Sequence, residues 1–305
     1  MKNYMIILLT IFFNLSLSMA EAKTVELKIS TQGHPPARLD LPKNFESRKD
    51  WPLVINIHGY KGSIGLQRLL TRMDRHQNAL GFVLLTPQST TDKDGNTFWN
   101  GSNYCCDFYK SGVDDKAYIR QLIEHIASHP VYGRINLRRV YLFGHSNGAF
   151  LSYSLACEMP DLIAGVAGYA GTMDLRDENA QLIPPGPPCS HNIPMPIYHI
   201  HGTNDRTIKF EGHDAFPQYP TGYQSSNQLV SNWLEHNECS TLNSDQKRVN
   251  ATLLKRGKET TTIDYKSCES GSAVRYSIVQ ESGHVTLFRK SFYRSMLEFL
   301  LSHQR

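Results

Sequence analysis

The chain has little that would send it to a polyanion or hold it in a bilayer. Lys and Arg total 32 against 28 Asp and Glu, giving a net charge of +4 with no dense basic run. Neither nucleic acid nor a membrane surface is implied as a partner. No C-x-x-C pair or second ligand cluster accompanies the six cysteines, so no metal site and no cofactor are indicated. The first residues, M-K-N-Y-M-I-I-L-L-T-I-F-F-N-L-S-L-S-M-A-E-A, are apolar only in short runs broken by Thr10, Asn14 and serines, less than a membrane span requires. There is no repeat, no low-complexity linker and no second domain in view.

What that N-terminal stretch does contain is a lysine, an apolar core and small residues at cleavage spacing, the pattern of a secretory signal peptide. Ser18-Met19-Ala20 and Ala20-Glu21-Ala22 both satisfy the small-x-small rule, so residues 1–22 are expected to leave a chain starting near Glu21 or Lys23. Residues 23–305 are expected to form one catalytic-sized domain. Cys105, Cys106, Cys157, Cys189, Cys239 and Cys268 all lie in that part, and an even count in a secreted or periplasmic chain predicts disulfides. Spacing alone does not choose the partners.

Short apolar runs alternate with helix-periodic segments. Thr24 to Ser30 alternates like a half-buried strand, and Pro52 to Ile57 is a mainly apolar run suited to a covered parallel strand. Gly65 to Leu80 has helical spacing, Phe82 to Leu85 is another strand, and Asp114 to His129 carries an apolar stripe behind two acids that suit a helix start. Val140 to Phe143, Ile163 to Tyr169, Met195 to Ile200 and Ala273 to Val279 follow as strands. Gly148 to Met159, Tyr223 to His236 and Ser291 to His303 follow as helices. Such alternation predicts an α/β class with a mostly parallel sheet and helices on both faces.

Within that order sits G-H-S-N-G, Gly144 to Gly148. A Gly-x-Ser-x-Gly match arises by chance in roughly one chain in ten of this length. The context is more selective: strand, motif, helix is the layout of a nucleophile elbow. Glycine is needed because the turn is so tight that side chains two residues either side of Ser146 would meet neighbouring backbone. A serine hydroxyl needs a histidine base oriented by a carboxylate. Two strand ends supply them: M-P-I-Y-H-I runs into His201-Gly202-Thr203-Asn204-Asp205, and the strand ending at Val279 runs into Gln280-Glu281-Ser282-Gly283-His284. The order Ser146, Asp205, His284 is the chain order of the α/β-hydrolase fold.

Other residues compete for these roles less well. Asp114 and Asp115 open a helix, and Asp264 lies in a polar segment with no preceding parallel strand. His145 is too close to the serine backbone to serve as its base. His199 and His201 share a strand face but lack a third metal ligand, so packing and loop hydrogen bonding suit them better. For an oxyanion, backbone N–H groups fixed before reaction are required. Asn147, directly after the serine, and Tyr60 in I-H-G-Y are the expected donors, with Gly59 as the alternative to Tyr60.

The segments L-V-I-N-I-H-G-Y, F-W-N-G-S-N-Y-C-C-D-F, G-V-D-D-K-A-Y-I, L-F-G-H-S-N-G-A-F, L-A-C-E-M-P-D-L-I-A and I-H-G-T-N-D resemble the polyhydroxybutyrate depolymerase and feruloyl esterase group of secreted α/β-hydrolases. The resemblance covers nearly all of residues 23–305. It implies a serine esterase without cofactor or metal, acting on a small-molecule or oligomeric ester, with Ser146, Asp205 and His284 as its triad. It implies a Cys239–Cys268 bridge, and Cys105 and Cys106 joined to Cys157 and Cys189 in an order left open. A bridge between adjacent cysteines is disfavoured by its geometry.

Trp99 resembles a position at the active-site mouth, where an aromatic face would hold an acyl or sugar ring. Packing of the Cys105–Cys106 loop is its competing role. Phe216, Tyr219 and Tyr223 are candidates for the opposite wall. The segment E-S-G-H-V-T-L-F departs from the group, which has a Gly-rich run before the histidine and Trp-Pro after it, so the acceptor side is expected to differ. Acetyl or feruloyl esters of polysaccharide are the alternative to a polyester substrate. A peptidase on the same fold, or a disulfide-stabilised binding protein with an inactive site, are the other classes to separate.

Overall fold

The computed structural model describes residues 23–29, 33–175, 177, 179, 181–183, 186, 188–214 and 222–305. The expected signal peptide, and the wall candidates Phe216 and Tyr219, lie outside these residues.

The most apolar runs become the middle of one sheet because only there are both faces of a strand covered. These are β3 (Trp51–Ile57), β4 (Val83–Thr86), β5 (Ile135–His145), β6 (Gly165–Tyr169), β7 (Ile197–Gly202) and β10 (Val274–Val279). Every residue of β3 and β7 is buried. These six strands pair in parallel, in the order β4-β3-β5-β6-β7-β10. The edges are antiparallel: β1 (Lys23–Leu27) and β2 (Ala37–Leu41) extend the β4 side, and β9 (Thr260–Tyr265) and β8 (Ser244–Val249) extend the β10 side. Three of these outer strands go beyond the expected set: β8 is almost wholly exposed, β9 buries Thr260, Thr262 and Asp264 in place of apolar side chains, and β2 buries a short alternating stripe of Ala37, Leu39 and Leu41.

Alternate residues of each central strand enter two separate cores. Leu53, Ile55 and Ile57 point to the side covered by α3 (Asp115–Ser128), α4 (Asn147–Glu158) and α5 (Ser226–His236). Val54, Tyr141 and Phe143 point to the side packed by α6 (Lys290–Leu301). The period of two along a strand thus fixes which helix each side chain meets.

The single helix expected over Gly65 to Leu80 is two, α1 (Ile64–Thr71) and α2 (Asp74–Leu80). Arg72 adopts a left-handed conformation (φ 46°) that ends α1, and the turn carries Met73 into the core, fully buried. α5 begins at Ser226 because the Ser225 side chain accepts from the Gln228 N–H and caps it. Tyr223, expected in that helix, instead exchanges backbone hydrogen bonds with His213.

Cys239 and Cys268 are bonded, as the resemblance implied. The other pairing corrects the expectation: Cys157 bonds Cys189, and Cys105 bonds Cys106 directly, across a cis peptide. Helix length is the reason. The Cys105 carbonyl lies against the Asn147 side chain at the first turn of α4, whereas Cys157 sits at its last turn. Ten residues at 1.5 Å rise separate those ends by about 15 Å, beyond the reach of a bridge.

Candidate active site

The site grows from the end of β5. Ser146 follows His145 with φ 55° and ψ −121°, a conformation rarely adopted by a residue with a side chain, and α4 starts at the next residue. Such strain persists only where the surroundings over-determine it. Here a Cβ on Gly148 would lie 2.5 Å from the His58 carbonyl and 2.6 Å from that of Ile57, and one on Gly144 would lie 2.5 Å from Ser152 Oγ. Both glycines are dictated by approach distance. The Ser146 N–H donates to the Tyr169 carbonyl (2.8 Å), locking the elbow to the neighbouring strand.

His284 Nε2 lies 2.8 Å from Ser146 Oγ, and His284 Nδ1 lies 2.8 Å from Asp205 Oδ2. Three strand ends converge on this line. With Nδ1 protonated toward the carboxylate, Nε2 is left to accept from the serine hydroxyl. The other carboxylate oxygen, Asp205 Oδ1, accepts from the Thr207 and Ile208 N–H groups at 2.9 and 3.0 Å. His201 Nε2 approaches Oδ2 at 3.4 Å while also meeting the Ile208 carbonyl at 2.8 Å. Burial alone would raise the Asp205 pKa, but the hydrogen bonds from His201 and His284 outweigh it and hold the carboxyl below its ordinary range.

The backbone beneath the histidine is clamped from below. His145 Nε2–H donates to the His284 carbonyl (3.0 Å), and its ring stacks on Tyr169 at 5.0 Å. The Tyr169 hydroxyl in turn donates to the Gly283 carbonyl (3.3 Å). Burial, then the neighbouring His284, lowers the His145 pKa to about 4, so it stays a neutral donor. Closeness to the serine backbone argues against His145 as the base, and only the fold shows it holding the His284 carbonyl.

The I-H-G-Y turn lies directly against the serine, since a Cβ on Gly59 would be 3.1 Å from Ser146 Cβ. His58 Nδ1–H donates to the Gly59 carbonyl (2.8 Å), and the opposite nitrogen accepts from the Ser89 N–H (3.3 Å). Burial lowers the His58 pKa to about 4, so this strut is also uncharged. Asn147 occupies the first position of α4, where helix geometry leaves the N–H without an intrahelical partner. Gly59, next to Tyr60 in the chain, and Asn147 thus both lie beside Ser146.

Trp99 corrects an expectation. It is fully buried, with Nε1–H donating to the His58 carbonyl (2.9 Å), so its ring offers no face to a substrate. Its backbone N–H donates to Asn147 Oδ1 (2.7 Å), and its carbonyl accepts from Asn147 Nδ2 (2.9 Å). The ring lies against that of His58, 5.0 Å between centroids, within the core, whereas it is Phe98 that packs with Cys105 and Cys106. Tyr223 is buried likewise, its hydroxyl accepting from the Lys209 N–H (2.8 Å), and packs edge-on against Tyr104.

The rejected candidates all have partners elsewhere. The Asp114 side chain caps α3 by accepting from the Ala117 N–H, and Asp115 accepts from the Asn100 N–H and pairs with His34. Asp264 is ion-paired with Arg275 and Lys247 on the far edge of the sheet. His199 bonds the Tyr153 hydroxyl and Ser226 Oγ at 2.7 and 2.9 Å. Cys189, His191 and His236 cluster with metal-like spacing, but Cys189 is spent in its bridge to Cys157 and has no thiolate to offer.

Residues 110–248 match the sequence model of the phospholipase/carboxylesterase family. The chain has the α/β-hydrolase fold. It is 24% identical over 234 residues to a bifunctional acetylxylan esterase/xylanase of Neocallimastix patriciarum, covering 76% of this chain and 28% of that protein. It is 25% identical over 201 residues to feruloyl esterase B of Piromyces equi, covering 65% and 35%. The chain thus spans about a third of the length of these relatives. An acetyl xylan esterase from Aspergillus awamori shares the fold with a TM-score of 0.63 at 14% identity, over 91% of this chain and 98% of that one. An S-formylglutathione hydrolase from Agrobacterium tumefaciens does so at 0.57 and 11%, over 92% and 95%.

Proposed function

We propose that this α/β-hydrolase is an exported carboxylic ester hydrolase working through an acyl-enzyme on Ser146. The observation that carries it is the unbroken hydrogen-bonded line from Ser146 Oγ through His284 to Asp205. His284 Nε2 takes the hydroxyl proton as Oγ attacks the ester carbonyl, and the ionised Asp205 stabilises the imidazolium. The carbonyl oxygen, now an oxyanion, is held by the Asn147 and Tyr60 N–H groups at the positive end of α4. His284 then hands its proton to the leaving alcohol, and water repeats the sequence on the acyl-serine. His145, kept neutral, adds no second positive charge beside the imidazolium.

The named activities of the similar proteins favour acetyl or feruloyl esters of plant polysaccharide over a polyester. Export is supported by the signal-like residues 1–22 and by three disulfides, and no helix among the described residues is long and apolar enough to cross a membrane. The test is a fluorophosphonate adduct on Ser146 together with turnover of p-nitrophenyl acetate, methyl ferulate and acetylated xylan. Ser146→Ala should lose both adduct and turnover while staying folded. Undiminished turnover in that variant would overturn the proposal.

A further inference from the structure

Large aliphatic side chains remain in solvent on one face beside the site. Leu69 is 61% exposed, Leu253 53%, Leu254 84%, Val285 60% and Leu287 40%. They are far apart in the chain yet adjacent in space: Leu69, Leu253 and Leu287 line one groove of about 460 Å³ over the buried rings of Phe288 and Tyr293. The Leu253 N–H donates to the Leu287 carbonyl (2.8 Å), tying the two loops together. Val285 borders an adjoining hollow that shares Leu70, Thr71 and Tyr293 with the groove. Single exposed leucines are ordinary, but a contiguous group marks a contact surface.

The rim of the groove is cationic. Arg72, Arg75 and Lys290 line it and no acidic side chain does. Directly after Leu254 come Lys255, Arg256 and Lys258, which with Arg248 outnumber the two acids, Glu259 and Glu281, in the next cleft. The acids nearby are already engaged: Asp74 with Arg68 at 3.8 Å, Glu298 with Arg294 at 2.8 Å, Glu281 with Lys255 at 3.5 Å, and Glu259 with the Ala251 and Thr252 N–H groups at 2.8 Å, which leaves Arg72, Arg75, Lys290, Arg256 and Lys258 as the excess. Aliphatic tips inside a collar of Lys and Arg match an interface with apolar chains below and anionic headgroups above. An acidic polysaccharide would satisfy the cations but give the leucines nothing to bury in.

We propose that this face docks the protein on an anionic lipid surface, with Leu253, Leu254 and Leu69 entering the acyl boundary and the surrounding cations meeting the headgroups. Val285 directly follows His284, so docking brings the mouth of the site to the lipid boundary. Binding is independent of ester turnover, and the two are measured separately.

The test is flotation of the purified full chain with phosphatidylglycerol/phosphatidylcholine vesicles and with phosphatidylcholine alone. The chain should float with the anionic vesicles, at least about tenfold less with neutral ones, and less in high salt. Leu253→Ser with Leu254→Ser should weaken partitioning by about a hundredfold. Arg72→Gln with Arg75→Gln and Lys290→Gln should weaken it by roughly fivefold per cation. p-Nitrophenyl acetate turnover and the thermal midpoint should be unchanged in both. Any part played by residues 1–22 is common to all these chains, so the difference isolates the groove. Absence of flotation, flotation of both variants like the parent, or capture by polygalacturonate beads in place of vesicles would overturn the proposal.

Discussion

Replacing Asn147 by Ala tests whether its side chain, as distinct from its backbone, holds the site together. The side chain is fully buried and clamps both backbone groups of Trp99, accepting at 2.7 Å and donating at 2.9 Å. Removing two such bonds forfeits about 1 kcal/mol each, and leaving the buried Trp99 N–H and C=O unpaired adds about 1–3 kcal/mol for each group. Partial entry of water trims the sum, so a loss of about 3–5 kcal/mol is expected. Asn147→Asp should be no better, since it keeps the acceptor but turns an oxygen toward the Trp99 carbonyl. The proposed oxyanion donor is the residue 147 N–H, which both variants retain. Turnover should therefore fall only by about tenfold to a hundredfold, through loosening of the loop under the His-Gly-Tyr turn, and far less than in Ser146→Ala. Urea unfolding and p-nitrophenyl acetate kinetics read the two effects. A stability loss below about 1 kcal/mol would refute the clamp.

His145→Phe keeps the stack on Tyr169 but removes the donor to the His284 carbonyl. One net hydrogen bond corresponds to up to about tenfold, so kcat should drop by that much with KM within about twofold, and an unchanged kcat would exclude a positioning role. Stability should fall with acid. His58 and His145 each have a folded pKa lowered to about 4, so their contribution is complete above the unfolded value near 6.5 and is lost as pH falls from there toward 4. Two such groups approach about 3 kcal/mol per pH unit below the unfolded value, which integrates to roughly 3 kcal/mol between pH 6.5 and 5. Asp205, depressed below the usual carboxylate range, acts in the same direction, its contribution being lost only below pH of about 4. Urea midpoints that do not move between pH 7 and 5 would contradict this.

Much of the site was legible because it is written in local geometry. Gly144, Ser146 and Gly148 are required by the backbone of one turn, and Asp205 and His284 each follow an apolar run that can only be a covered strand. Parallel strands put all their C-terminal ends on one side, so chain order alone brought the three residues near one another. Trp99 was harder, because an exposed aromatic and a buried one have the same local pattern. Cys105 and Cys106 were misassigned because spacing is silent on where α4 ends relative to their loop. The outer strands β8 and β9 offer no apolar stripe, β8 being exposed and β9 burying polar side chains, so pairing to a neighbour makes them strands; the Ala37-Leu39-Leu41 stripe of β2 was legible but short.

The sequence by itself determined the α/β order, the elbow and the two candidate partners of its serine, Asp205 and His284, since each depends on residues within a few positions. The tertiary structure alone decided what supports them. His145 under His284, Asn147 around Trp99, and the Leu253 loop beside Leu287 are contacts between residues 139, 48 and 34 positions apart in the chain.

Net charge made the same distinction. A balanced total of +4 implied no membrane partner, yet folding gathers Arg72, Arg75 and Lys290 on one rim and leaves their acids paired elsewhere. Charge acts over about 8 Å at physiological salt, so its effect depends on position in space and not on a sum along the chain.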